Sequence, residues 1–122
     1  MTAPNWARIW FRGAAIYGAI ALSAGILLAP ASPDGPRLEP LAFGLTALAF
    51  QIVFWIIGGD PVRYRPMMMA GVAEKLAFGV PALWFAKTGW ADPAVALFAL
   101  VDLVLGAGFA LAWRATPASR GS

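Results

Sequence analysis

Along the chain, long apolar stretches alternate with short segments rich in proline, glycine and charge, and the pattern repeats four times. The first stretch runs from about Arg8 to Ala29 and stops at Pro30. It gives way to Ala31-Ser32-Pro33-Asp34-Gly35-Pro36, where proline and glycine exclude a continuing helix. The second runs from about Pro40 to Ile57 and ends at Gly58-Gly59, and the third from about Pro66 to Ala86. The fourth runs from about Pro93 to Trp113, with Asp92 placed as an N-cap and Pro93 as the first helical residue. Each stretch is close to the roughly 20 residues that a helix needs to cross hydrocarbon. The pattern predicts an all-α fold, an integral membrane bundle of four transmembrane helices over about 8–29, 40–57, 66–86 and 93–113. Residues 1–122 form a single membrane domain, with a short polar tail expected to be mobile over 115–122.

Nine of the ten prolines fall at segment ends or in loops. Pro81 is the exception: inside the third span it removes a donor and frees the carbonyl of Ala77, which predicts a kink beyond Lys75. Two readings apply, a proline tolerated as in many membrane helices and a hinge that shapes a cavity. Trp6, Trp10, Trp55, Trp84, Trp90 and Trp113 all lie near predicted span ends, the depth at which an indole anchors at a membrane interface.

Composition narrows the class. With 61% hydrophobic and 12% charged residues, the chain lies far from the roughly 25% charged residues of soluble domains. Four spans take about two thirds of the 122 residues and the rest is divided among short loops and ends, which leaves no room for a soluble catalytic domain. The net charge of +3 contains no lysine and arginine run interleaved with aromatics, so nucleic acid is not an expected partner. The absence of cysteine removes disulfides, thiolate nucleophiles and thiolate metal ligands, and the absence of histidine removes the commonest ligand for haem and zinc. No metal and no cofactor are therefore expected.

Positive charge is instead a topology signal. Arg8, Arg12, Arg63, Arg65, Arg114 and Arg120 flank one side of the four spans, and only Arg37 and Lys87 flank the other, which predicts both termini in the cytoplasm. Arg8 and Arg12 also precede an apolar run ending in Ala29-Pro30-Ala31, a likeness to a signal-peptidase site. The run is longer than most signal cores, so it is read as a retained first span.

Three ionisable residues interrupt the spans. Glu74 and Lys75 lie in the third and Asp102 in the fourth, and each such group costs about 2.5 to 3.5 kcal/mol at a bilayer centre. A helical rise of 1.5 Å per residue sets Glu74 and Lys75 roughly 12 to 14 Å and Asp102 roughly 16 Å from the cytoplasmic side. Gln51 comes roughly 9 Å and Tyr17 roughly 13 Å from that side, so polar residues of all four helices gather in the cytoplasmic half. Gly71, Lys75 and Gly79 share one face of the third helix, as do Asp102, Gly106 and Ala110 on the fourth, and small residues at this spacing let helices approach closely in lipid. A Lys75–Asp102 ion pair is expected between them. Glu74, turned about 100° from Lys75, is expected to face elsewhere, with Arg12, Tyr17 and Gln51 as candidate partners. The cluster reads either as a ligand or proton site, as a register lock between helices, or as a contact between subunits.

In the second loop, Asp60-Pro61 is placed to cap a turn, while Arg63, Tyr64 and Arg65 form a candidate site for anionic lipid or headgroups beside their role in retaining the loop. Ala14 with Gly18, and Ala21 with Gly25, give the first helix a close-packing face, for use within the bundle or between copies.

The run Asp60-Pro61-Val62-Arg63-Tyr64-Arg65-Pro66-Met67-Met68, continuing to Glu74-Lys75, resembles small four-helix proteins of bacterial inner membranes that have no established activity. That resemblance covers about a quarter of the chain and implies a multi-pass protein of a bacterial inner membrane. In size and span count the chain also looks like small multidrug-resistance transporters, but their first helix carries an embedded glutamate and residues 8 to 29 here have none. A phosphate loop, a catalytic triad pattern and paired metal ligands are absent from the sequence, and a non-enzymatic protein is expected. Two functions follow: binding or transport of a small solute, ion or lipid, or an accessory subunit whose charges fix helix packing. Membrane lipids are the expected partners, with a homodimer or a larger membrane complex as the expected assembly.

Overall fold

A computed structural model describes residues 2–28, 34–35 and 37–118. They form four helices, α1 (Asn5–Leu27), α2 (Leu38–Gly59), α3 (Met68–Lys87) and α4 (Ala94–Ala115), with a 3-10 turn at Arg65–Met67 leading into α3. All four are long and apolar enough to cross a membrane. Outward-facing side chains such as Ile9, Ile20, Ile52, Leu97 and Val104 are apolar and exposed, a surface that suits hydrocarbon rather than water.

The helix ends differ from the predicted ones by a few residues, each for a local reason. α1 begins at Asn5 because Pro4 fixes an extended N-cap, and its own carbonyl accepts from the Ala7 amide at 3.0 Å. α2 begins at Leu38, since Pro40 lies in the first turn, where a missing amide costs nothing. Pro66 opens the 3-10 turn rather than α3 itself. α4 begins at Ala94, yet Asp92 does the capping, accepting from the Ala94 amide at 2.8 Å. The predicted stop at Pro30 and most of the loop over 31–36 lie outside the described residues, as do Arg120 and the tail beyond 118. At the start of that tail Ala115 closes α4, and Thr116 is 2% exposed. α3 continues as an α-helix through Pro81, whose ring lies on the exposed side, so this proline lines no cavity between helices.

α1 packs mainly on α2 and α3 mainly on α4, so the bundle is two helical hairpins laid side by side. Small residues set the spacing within each. A Cβ on Gly79 would come 2.8 Å from Leu103 and 3.3 Å from the Ala99 carbonyl, and one on Gly106 would come 2.9 Å from the Lys75 Cβ. In the other hairpin, a Cβ on Gly18 would overlap the Gln51 amide. Gly25, by contrast, has open space beside it, so only the Ala14–Gly18 half of the predicted α1 face is used inside the chain.

The hairpins meet through an aromatic core near one end. Phe11 and Phe109 stack at 4.1 Å with planes 4° apart, and Phe54 tilts against both at 6.3 and 4.9 Å. Trp10 crosses from α1 to α4, donating its indole N–H to the Leu105 carbonyl at 3.0 Å, with its ring filling the space that a Cβ on Gly108 would need. This indole, read from sequence as an interfacial anchor, is a cross-link between hairpins. At the opposite end Leu27, Leu28 and Trp90 are 71% exposed or more.

Arginines finish the helices at the aromatic end. Arg8 donates to the Gly59 carbonyl at 3.0 Å, closing α2, and Arg65 Nε donates to the carbonyls of Trp113 at 3.0 Å and Thr116 at 2.8 Å, closing α4. Its guanidinium also lies 4.2 Å from the Trp113 ring centroid. Arg65→Ala should therefore lower stability by about 1.5 to 3 kcal/mol, the worth of charged hydrogen bonds at a partly buried helix end. Thermal unfolding in detergent checks this, and Arg65→Lys should recover little because an ammonium cannot reproduce the shared Nε donor.

Candidate functional site

Lys75 is the centre of the buried charge cluster. It is 3% exposed because Gly106 on α4 lets its stem lie flat against the neighbouring backbone. Its ammonium reaches Asp102 Oδ1 on α4 at 3.5 Å, the cross-helix contact expected from the shared glycine face. It also reaches Glu74 Oε2 at 3.4 Å. Below it, the Phe54 ring of α2 lies 5.2 Å away, supplying its π face to the same charge. Three helices thus converge on one cation.

The Glu74 contact corrects an expectation. Helical geometry separates the Cβ atoms of residues 74 and 75 by about 100°, but it does not bind the ends of two long, flexible side chains. Both fold toward the α3–α4 seam, where the ammonium meets both carboxylates. The contact is ionic and off-axis: Glu74 Oε2 is buried without a hydrogen-bond partner. The Glu74 and Asp102 side chains are 16% and 15% exposed, against 3% for Lys75.

The three partners expected for Glu74 divide. Tyr17 of α1 is partly buried, and among the described residues no hydrogen bond joins it to Glu74. Gln51 is buried but turns to its own helix, donating Nε2 to the Ala47 carbonyl at 2.7 Å, with Oε1 unpartnered against Gly18. Arg12 is elsewhere. Its guanidinium sits 4.2 Å over the Trp55 ring and along Gly58 and Gly59, near the end of the bundle. The rise per residue explains the split, since α1 enters near Arg8 and Arg12 has not yet reached the level of Lys75.

In the second loop, Asp60 organises the turn as expected: its carbonyl accepts from the Tyr64 amide at 3.1 Å and its carboxylate from the Arg63 amide at 3.4 Å. Arg63 is exposed and lies 5.4 Å over the Tyr64 ring, available to a headgroup, whereas Arg65 is engaged in closing α4. Sequence reasoning missed the Phe54 ring under Lys75. It also missed a groove of about 380 Å³ at the arginine end, lined by Arg8, Arg12, Gly13, Gly58 and Gly59. The four-residue spacing of the two arginines was the available signal for it. Among the described residues, no group of three or more acidic, cysteine or histidine side chains is placed to hold a metal ion.

No protein-family model matches the chain, and neither a curated protein nor a solved structure shows significant similarity to it.

Proposed function

We propose that this chain is a multi-pass protein of a bacterial inner membrane, with both termini in the cytoplasm, that binds a proton or small monovalent cation at Glu74, Lys75 and Asp102 and couples it to movement of a small solute. One observation carries the proposal: two carboxylates converge on one ammonium inside a segment apolar enough for a membrane. With all three ionised the cluster holds a net negative charge. In hydrocarbon such an excess is costly, and one bound proton or cation removes it. The Glu74 and Asp102 side chains, less buried than Lys75, are the side from which that cation arrives. Arg63 and Tyr64 contact headgroups. The role is that of a binding or transport protein rather than an enzyme.

A second reading, an accessory subunit or homodimer whose charges lock its helices, draws on the depth of Lys75 and its bridge from α3 to α4. Reconstitution into vesicles with an internal pH dye separates the two. Glu74→Gln should abolish proton uptake after a pH step, and should remove the protonated-carboxyl band from the infrared difference spectrum, while leaving thermal stability nearly intact. Proton flux equal to wild type in Glu74→Gln and Asp102→Asn, with stability lost in Asp102→Asn, would establish the locking role instead.

A further inference from the structure

The geometry points to a binding site for the phosphate of an anionic phospholipid in the groove between the start of α1 and the end of α2. Arg8 and Arg12 stand one turn apart on the same side of α1, and both line the groove. Among the described residues neither has a carboxylate within 4.0 Å, so two positive charges lie together at the end of an apolar bundle with no anion between them. Arg12 is held in place without being satisfied: its guanidinium stacks on Trp55 at 4.2 Å, while its Nε is buried with no hydrogen-bond partner. Arg8 spends one nitrogen on the Gly59 carbonyl, which fixes the side chain and leaves the rest of its donor fork free.

The backbone is shaped for this arrangement. A Cβ on Gly58 would come 2.5 Å from Arg12 Cγ, and one on Gly59 would come 2.9 Å from Arg12 Nη2, so the glycine pair is what allows the guanidinium to lie across the end of α2. Gly13 forms an open floor, with nothing within 4 Å of its missing side chain. Ile9 and Ile16 border the groove at 65% and 52% exposure, and Ile20 continues the same apolar flank at 67%. A soluble anion would gain nothing from that flank. A phospholipid gains twice, its phosphate on two guanidinium forks and an acyl chain along the isoleucines.

The site belongs to the membrane reading but is independent of the charge cluster at Lys75, so failure of proton uptake leaves it standing. The test uses the full chain in detergent micelles, with native mass spectrometry counting bound lipid and thermal shift reporting affinity. Phosphatidylglycerol should remain bound and raise the midpoint, phosphatidylcholine should do so far less, and inorganic phosphate alone should do neither. Arg12→Gln should weaken phosphatidylglycerol binding roughly five- to tenfold, in line with one basic residue at a charged membrane surface. Because Arg12→Gln also removes a contact with Trp55, Gly13→Leu is the second variant: it fills the open floor and keeps both charges, and should release the lipid with no loss of lipid-free stability. Retention of phosphatidylglycerol at the wild-type level in both variants, equal binding of phosphatidylcholine, or a full shift from inorganic phosphate would each overturn the proposal.

Discussion

Lys75→Met should be the most damaging single substitution in the protein, lowering stability by about 3 to 5 kcal/mol, the cost of stripping one partner from a buried ion pair. Methionine nearly reproduces the stem, so packing against Gly106 survives and the loss is electrostatic. Glu74 and Asp102 would then face each other with no cation between them. The test of this cause is a rescue. Glu74→Gln/Lys75→Met/Asp102→Asn carries no charge at the site and should regain most of the stability, because well-shaped neutral replacement of a buried ionic group is often harmless. Steric-trap or thermal unfolding in bicelles measures both variants, and a triple variant as unstable as the single one would show that the stem rather than the charge is responsible.

Phe109→Ala should come next, at about 3 to 5 kcal/mol for a fully buried phenylalanine. Its consequence is directional. Phe109 is 0% exposed, touches Phe11 on α1 and Phe54 on α2, and bounds the space beside Gly71 on α3. In lipid no hydrophobic force draws the two hairpins together once this packing is lost, because acyl chains solvate them equally well. The α1–α4 distance should therefore lengthen while α1–α2 and α3–α4 distances hold. The chain has no native cysteine, so spin labels at introduced cysteine pairs report these distances without background. Unchanged α1–α4 separation would sink the claim that the aromatic cluster joins the hairpins.

Much of this architecture was legible in the sequence because long apolar helices with breaks between them leave few ways to pack. Span length, proline and glycine at the ends, and glycine spacing around Lys75 translate directly into four helices and a Lys75–Asp102 contact. The remainder was hidden for identifiable reasons. Glu74 was assigned by the direction of its Cβ, whereas the position of its carboxylate is decided by three further torsions and by the search for a counter-charge. Arg65 and Arg8 read as charges that set orientation, yet their hydrogen bonds go to carbonyls 48 and 51 residues away, a pairing no local pattern encodes. Trp10 was placed at an interface because indoles prefer it, and its partner, Leu105, lies 95 residues further along.

The unequal ends of the bundle give the fold a mechanical character. Glycine contacts make each hairpin a closely packed arm, and the aromatic cluster with Trp10 clasps the arms near one extremity, with the Phe43–Phe78 contact at 5.8 Å linking them further along. Lys75 stands one turn beyond Gly71, whose surface Phe109 and Phe54 cover, and its ammonium rests over Phe54 itself. The charges therefore lie within one arm, beside the clasp, and reach the other arm through the contact of Lys75 with the Phe54 ring.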